Sequence, residues 1–110
     1  MNIEDLTLKQ IREVAAMCGG QVVDNSAWEL GQNYLIRTVT MIDTGKLVAV
    51  TQHELVLEDA AWVADTGRFA QAVASAEFGE VEPFPTGRVI IGRGAVIDAV
   101  RIKTLPRSQK

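Results

Sequence analysis

Three features of the sequence predict an α+β domain that is mainly antiparallel sheet. Between residues 34 and 63, three short runs rich in β-branched and aromatic residues are separated by turn signals. From Val89 to Ile102, VIIGRGAVIDAVRI is an apolar stretch broken once by Gly92-Arg93-Gly94, which reads as two strands joined by a sharp, charged turn. Helical periodicity is confined to two places, one before the strands and one between the third and fourth.

Taken in order, Thr7-Leu8-Lys9-Gln10 reads as a capping box. Leu8, Ile11, Ala15 and Cys18 then follow at helical spacing, and Gly19-Gly20 ends the helix, predicted over 1–20. Residues 21–32 are a connector that Trp28 and Leu30 pin to the body. Residues 34–40 form the first strand, Asp43-Thr44-Gly45 a turn, 46–51 the second strand, Gln52-His53 a reversal and 54–63 the third. Short turns make these a meander. A helix is predicted over 66–78, with Phe69, Ala72, Val73 and Ala76 on its apolar face and Gly79 at its end. Glu77, Glu80 and Glu82, with Pro83 and Pro85, make an acidic loop. Residues 89–91 and 95–102 are the last strand pair, and 103–110 a basic, solvated tail.

Composition narrows the function. The 110 residues are 47% hydrophobic and 23% charged, as in an ordinary single domain. No apolar run approaches the roughly 20 residues of a membrane-spanning helix, so no membrane partner is expected. The opening MNIEDLTLKQ carries no apolar signal-peptide core, so secretion is not expected. One cysteine excludes an internal disulfide and suits a reducing compartment. The net charge of −3 hides an acidic body and a basic tail, which argues against a protein coating nucleic acid with its whole surface.

The strand order around Gly45-Lys46-Leu47, Leu55-Val56-Leu57-Glu58-Asp59-Ala60 and Arg93-Gly94 with Val96, Ile97 and Val100 resembles the Sm/LSm family. The resemblance implies a five-stranded small antiparallel barrel over 33–102, with an N-terminal helix and a helix inserted between strands 3 and 4. It also implies copies that pair edge strands into a ring. RNA-binding Sm proteins place an aspartate after the second strand, an asparagine beyond it and a small polar residue after the Arg-Gly pair. Here Thr51, Glu54 and Ala95 stand near those places, leaving Arg93 as the matching pocket residue and weakening the case for RNA. A second likeness covers most of the chain. The runs RTVTMIDTGKLVAV, ELVLEDAAWVADTGRFAQA, EVEPF, IIGRGAVIDAV and LPRSQK look like a small phage-encoded family of uncharacterised function, which implies action in the host cytoplasm or in a virion.

No catalytic constellation is legible. His53 is the only histidine and reads as an exposed turn residue. Glu58 and Asp59 are strand neighbours, which point to opposite faces. No metal or cofactor is expected. A binding module is better supported. Trp62 ends the third strand, Arg68 precedes the helix and Arg93 sits in the last turn, together offering an aromatic platform and guanidinium groups for a nucleotide or RNA. Alternatively, Trp62 fills core under the helix and Arg93 pairs with Asp98 or Asp59. In the last strand Val96, Val100 and Ile102 line one face and Ala95, Ile97 and Ala99 the other. Two apolar faces in so small a domain predict a self-interface through Val96, Ile97 and Val100. The reading is therefore a non-enzymatic, homo-oligomeric, phage-encoded binding protein for a nucleotide or short nucleic acid. The alternative is a structural component of a phage particle with no small ligand.

Overall fold

The computed structural model describes residues 26–110. The helix expected over 1–20, with its capping box and Cys18, lies outside the described residues. The described chain runs β1 (Asn33–Thr38), β2 (Ile42–Val50), β3 (Glu54–Asp65), α1 (Phe69–Ser75), β4 (Glu80–Pro83), β5 (Val89–Gly92), a one-turn 3-10 helix (Arg93–Ala95) and β6 (Val96–Arg101). All pairings are antiparallel. β6 pairs with β1, β1 with β2 and β2 with β3; the other edge of β3 takes β5 along its first half and β4 along its second.

The mainly β, antiparallel reading with a helix inserted after the third strand holds. Two finer expectations do not. Among the described residues the sheet has six strands rather than five, because residues 80–83, assigned to the proline-bearing loop, pair with β3. Pro83 is tolerated because it is the last residue of a short outer strand. Nor does the sheet close. The Arg93–Ala95 turn carries the chain from the edge of β3 to that of β1, and no ladder joins β5 to β6.

Asp43-Thr44-Gly45 is not a turn but lies inside β2. The reversal comes earlier, at Thr38, whose hydroxyl accepts from the Met41 amide and donates to the Met41 carbonyl, both at 2.9 Å. The next hairpin is closed by Thr51, whose hydroxyl accepts from the Glu54 amide at 3.0 Å.

Two apolar clusters form on opposite faces of the sheet. The first gathers Tyr34, Ile36, Leu47, Leu55, Leu57 and Ile91, with Trp28 packed against it. Trp28 meets Tyr34 edge to face at 5.1 Å, as its pinning role requires, whereas Leu30 is exposed. The second gathers Leu35, Ala61, Val63, Ala72, Phe78 and Ile102 under α1. A bulge lets β3 serve both. Lys46 faces Glu58 and Thr44 faces Ala61, so Asp59 and Ala60 together oppose Gly45. Asp59 adopts φ 52°, and the extra residue switches the alternation. Leu55 and Leu57 point to the first cluster, Ala61 and Val63 to the second. Thr44, fully buried on the second side, leaves its hydroxyl without a hydrogen-bond partner, a cost of about 1–3 kcal/mol.

The C-terminal tail, expected to be solvated, is docked. Leu105 packs on the second cluster, Pro106 is buried and Arg107 lies 3.4 Å from Asp59. Lys110 and Val81 exchange backbone bonds of 2.8 and 3.0 Å, which covers the outer edge of β4.

Candidate functional site

The corner between β5 and β6 is built by hydrogen bonds to the β2–β3 hairpin. The Arg93 amide donates to the His53 carbonyl at 2.9 Å, and one guanidinium nitrogen donates to the Thr51 carbonyl at 2.7 Å. Arg93 is therefore a clasp between two turns. Neither acid proposed as its partner is used, since Asp98 pairs with Arg37 and Asp59 with Arg107. Gly92 has φ −69° and ψ 126°, values open to any residue, and a Cβ at Gly92 or Gly94 would meet nothing within 4 Å. The unusual backbone angles expected of these glycines occur instead at Gly31, Gly67 and Gly87.

Trp62, Arg68 and Arg93 are not brought together. Arg93 is bound to residues just before β3, and Trp62 lies eight positions beyond Glu54, roughly 25 Å along an extended strand. Trp62 does not fill core under α1. The bulge turns Ala61 and Val63 to that side, and Trp62, 40% exposed, lines a depression with Glu80, Glu82 and Lys110. Arg68 is the exposed N-cap of α1, its carbonyl accepting from the amides of Gln71 and Ala72. His53 is exposed. Glu58 is held by Arg88 at 2.9 Å. Among the described residues no group of three metal-ligating side chains forms.

The residues expected at a self-interface regroup. β1 and β6 shift register between Arg37 and Thr38, leaving Ile97 as an extra residue. Val96 and Ala99 therefore turn towards the first cluster, whereas Val100 lies opposite Leu35 on the second side. Val96 is half-buried, Ile97 is 65% exposed and Val100 is 37% exposed. The expected facial pairs, Val96 with Val100 and Ile97 with Ala99, are broken by this bulge, which the apolar pattern alone does not signal.

On the second side, Arg37 lies opposite Asp98 and binds it through two nitrogens at 2.7 and 2.5 Å, while its guanidinium carbon sits 5.1 Å from the centre of the Phe69 ring. This joins β1, β6 and the start of α1. The hydrogen bond and charge of Arg37 hold the Asp98 carboxyl below the usual range. Between α1 and β6 is an open groove of about 460 Å³, walled by Phe69, Val73 and Val100 with the Arg37–Asp98 pair at its rim. Sequence reasoning missed Arg37, Asp98 as its partner, and Ile90. The last was findable, since alternation in Val89-Ile90-Ile91 sends Ile90 to the face opposite its neighbours.

Asp43 is a buried carboxyl, placed in register between Ile36 and Trp62. Burial raises its pKa above that of an ordinary aspartate. The ionised form is thus disfavoured in the folded chain, and this contribution grows more stabilising as pH falls through the raised folded value towards the unfolded one. Asp43→Asn is expected to melt higher than the parent at pH 7. The difference should shrink on acidification and vanish once both states of Asp43 are protonated. Parallel thermal melts from pH 7 to 3 test this, and a difference that widens in acid contradicts it.

No family model, curated protein or solved structure matches the chain.

Proposed function

We propose that this protein is a non-enzymatic, Sm-like assembly module whose copies join edge to edge, serving as a structural component of a phage particle. The observation that carries the reading is the pair of open edges. Among the described residues, β5 is bonded only to β3 and β6 only to β1, while Lys110 covers the outer edge of β4. A strand edge offers a row of unpaired amide and carbonyl groups, and monomeric proteins usually blunt it with lysine, proline or a covering loop. Here the two edges carry Ile90 and Ile97, 63% and 65% exposed. The edges differ, so their pairing is head to tail, which gives a ring if the rotation closes and a filament if it does not.

The order of strands across the Gly92-Arg93-Gly94 turn supports the Sm-like part of the reading, and the likeness to a small phage-encoded family supports the setting. The nucleotide-binding reading draws less support, because Arg93 already serves the Thr51 carbonyl and stands far from Trp62. Size-exclusion chromatography with light scattering tests the proposal. The expected result is a multimer that persists in high salt, since backbone pairing and apolar contact resist screening. A single-chain mass at every concentration, including the highest attainable, rejects it.

A further inference from the structure

We infer that the groove between α1 and β6 is a socket for Ile90 of a second copy of this chain. The inference rests on the edge-to-edge reading and adds which side chain fills which surface. The argument is one of faces. On β5, Val89 and Ile91 pack against the first cluster, so Ile90 projects from the opposite face, where it lies in register with Val56 of β3. On β6, Val96 and Ala99 turn to the first cluster, and Val100 projects on the other side with Leu35 and α1. Within one chain β5 and β6 run in the same direction, since β1 and β3 are both antiparallel to β2. A neighbour joined through these edges therefore keeps like faces together when the two strands pair in parallel and exchanges them when they pair antiparallel. A β5 edge added in parallel to the β6 edge of a neighbour delivers Ile90 to the side on which the groove opens, and the socket requires that arrangement.

The chemistry of the groove fits that occupant. Phe69 is 41% exposed and Val100 37% exposed, both large apolar side chains flanking an open space. The charges at the rim, Arg37 and Asp98, neutralise each other, so an entering isoleucine strips water from no unpaired ion. The other charged residue on the Ile90 face of the same segment, Arg88, is likewise matched within its own chain by Glu58. The helix inserted between β3 and β4 acquires a role from this: it supplies one wall of the socket beside the strand edge that receives the partner. Backbone pairing alone would join any two strands, whereas the socket selects a copy carrying an apolar side chain at that position.

The test uses the full chain. Ile90→Glu is exposed in the single chain, so its circular dichroism should match the parent, but its association should weaken at least tenfold, with the mass falling towards one chain. Ile90→Leu should retain the parent's mass. In a Cys18→Ser background, Ile90→Cys and Val73→Cys chains are mixed and treated with a short bis-maleimide. A covalent pair should form in the mixture and not with either variant alone. If Ile90→Glu keeps the parent's mass, or if an intact multimer yields no mixed cross-link, the socket is wrong while edge pairing stands. If the parent itself is a single chain, both fall.

Discussion

Replacing Gly45 with alanine is expected to cost about 3 kcal/mol of folding stability, at the upper end of what overpacking a buried site costs. Gly45 is buried in the middle of β2, opposite the bulge, and a Cβ built there would stand 2.8 Å from the Leu57 Cβ, 3.0 Å from the Leu57 Cδ1 and 3.3 Å from the Ala60 Cβ. The nearest atom decides the size of the effect. A side-chain tip can swing aside, but a Cβ moves only with its backbone, and the Leu57 backbone is fixed by pairings to both β2 and β5. Trimming Leu57 to alanine leaves that Cβ in place and opens a cavity, a change that costs about 2–5 kcal/mol by itself. Gly45→Ala/Leu57→Ala should therefore be less stable than either single variant. Urea denaturation of the three proteins checks this. A double variant restored to the stability of Leu57→Ala would mean that the clash is with the removable end of Leu57 and not with its backbone.

The same region shows what was legible in the sequence. Strand identities were readable because alternation and β-branched content are local. Thus β1, β3, β5 and β6 lie within a few residues of expectation. The start of β2 was not readable, because Asp43-Thr44-Gly45 carries turn-forming residues whose roles here are tertiary. Gly45 yields space to Leu57, and Asp43 and Thr44 lie across from Trp62 and Ala61. Asp59 misleads in the same way. Its φ of 52° changes which face each later β3 residue occupies, so Trp62 leaves the face under α1 and Ala61 enters it. The bulge decides which face Trp62 occupies, while the length of β3 separates it from Arg93 at the other end of the strand. In the last strand, apolar residues at both alternating sets of positions are visible in the sequence, and Ile97 and Val100 are accessible in the fold after the bulge has regrouped them.

Phe78→Ala is expected to lose about 3–5 kcal/mol, the largest effect of any single truncation of this kind. Phe78 is 2% exposed, although it lies three residues beyond α1 rather than on it. Ala76 takes a left-handed conformation, φ 60°, which ends the helix and turns the chain back so that Phe78 enters the second cluster. α1 itself has only seven residues and buries Ala72 alone, too little to hold a helix in place without Phe78. Loss of the ring would melt α1 and β4 locally if the two clusters were independent. They are not, because β1 gives Leu35 to one and Ile36 to the other, and β3 divides Ala60 and Ala61 in the same way. Each strand spans both sides of one sheet, so its pairing fails as a unit. Thermal unfolding of Phe78→Ala should therefore remain a single transition, shifted down and coincident by near- and far-ultraviolet circular dichroism. Two separable transitions, with the sheet outlasting the helix, would show instead that the second cluster is a dispensable cover. The coupling also reaches assembly. If α1 forms a wall of the socket for a neighbour's Ile90, Phe78→Ala should weaken association even at temperatures where the fold persists, whereas a change at exposed Leu30, which does not line that groove, should leave the mass of the assembly unchanged.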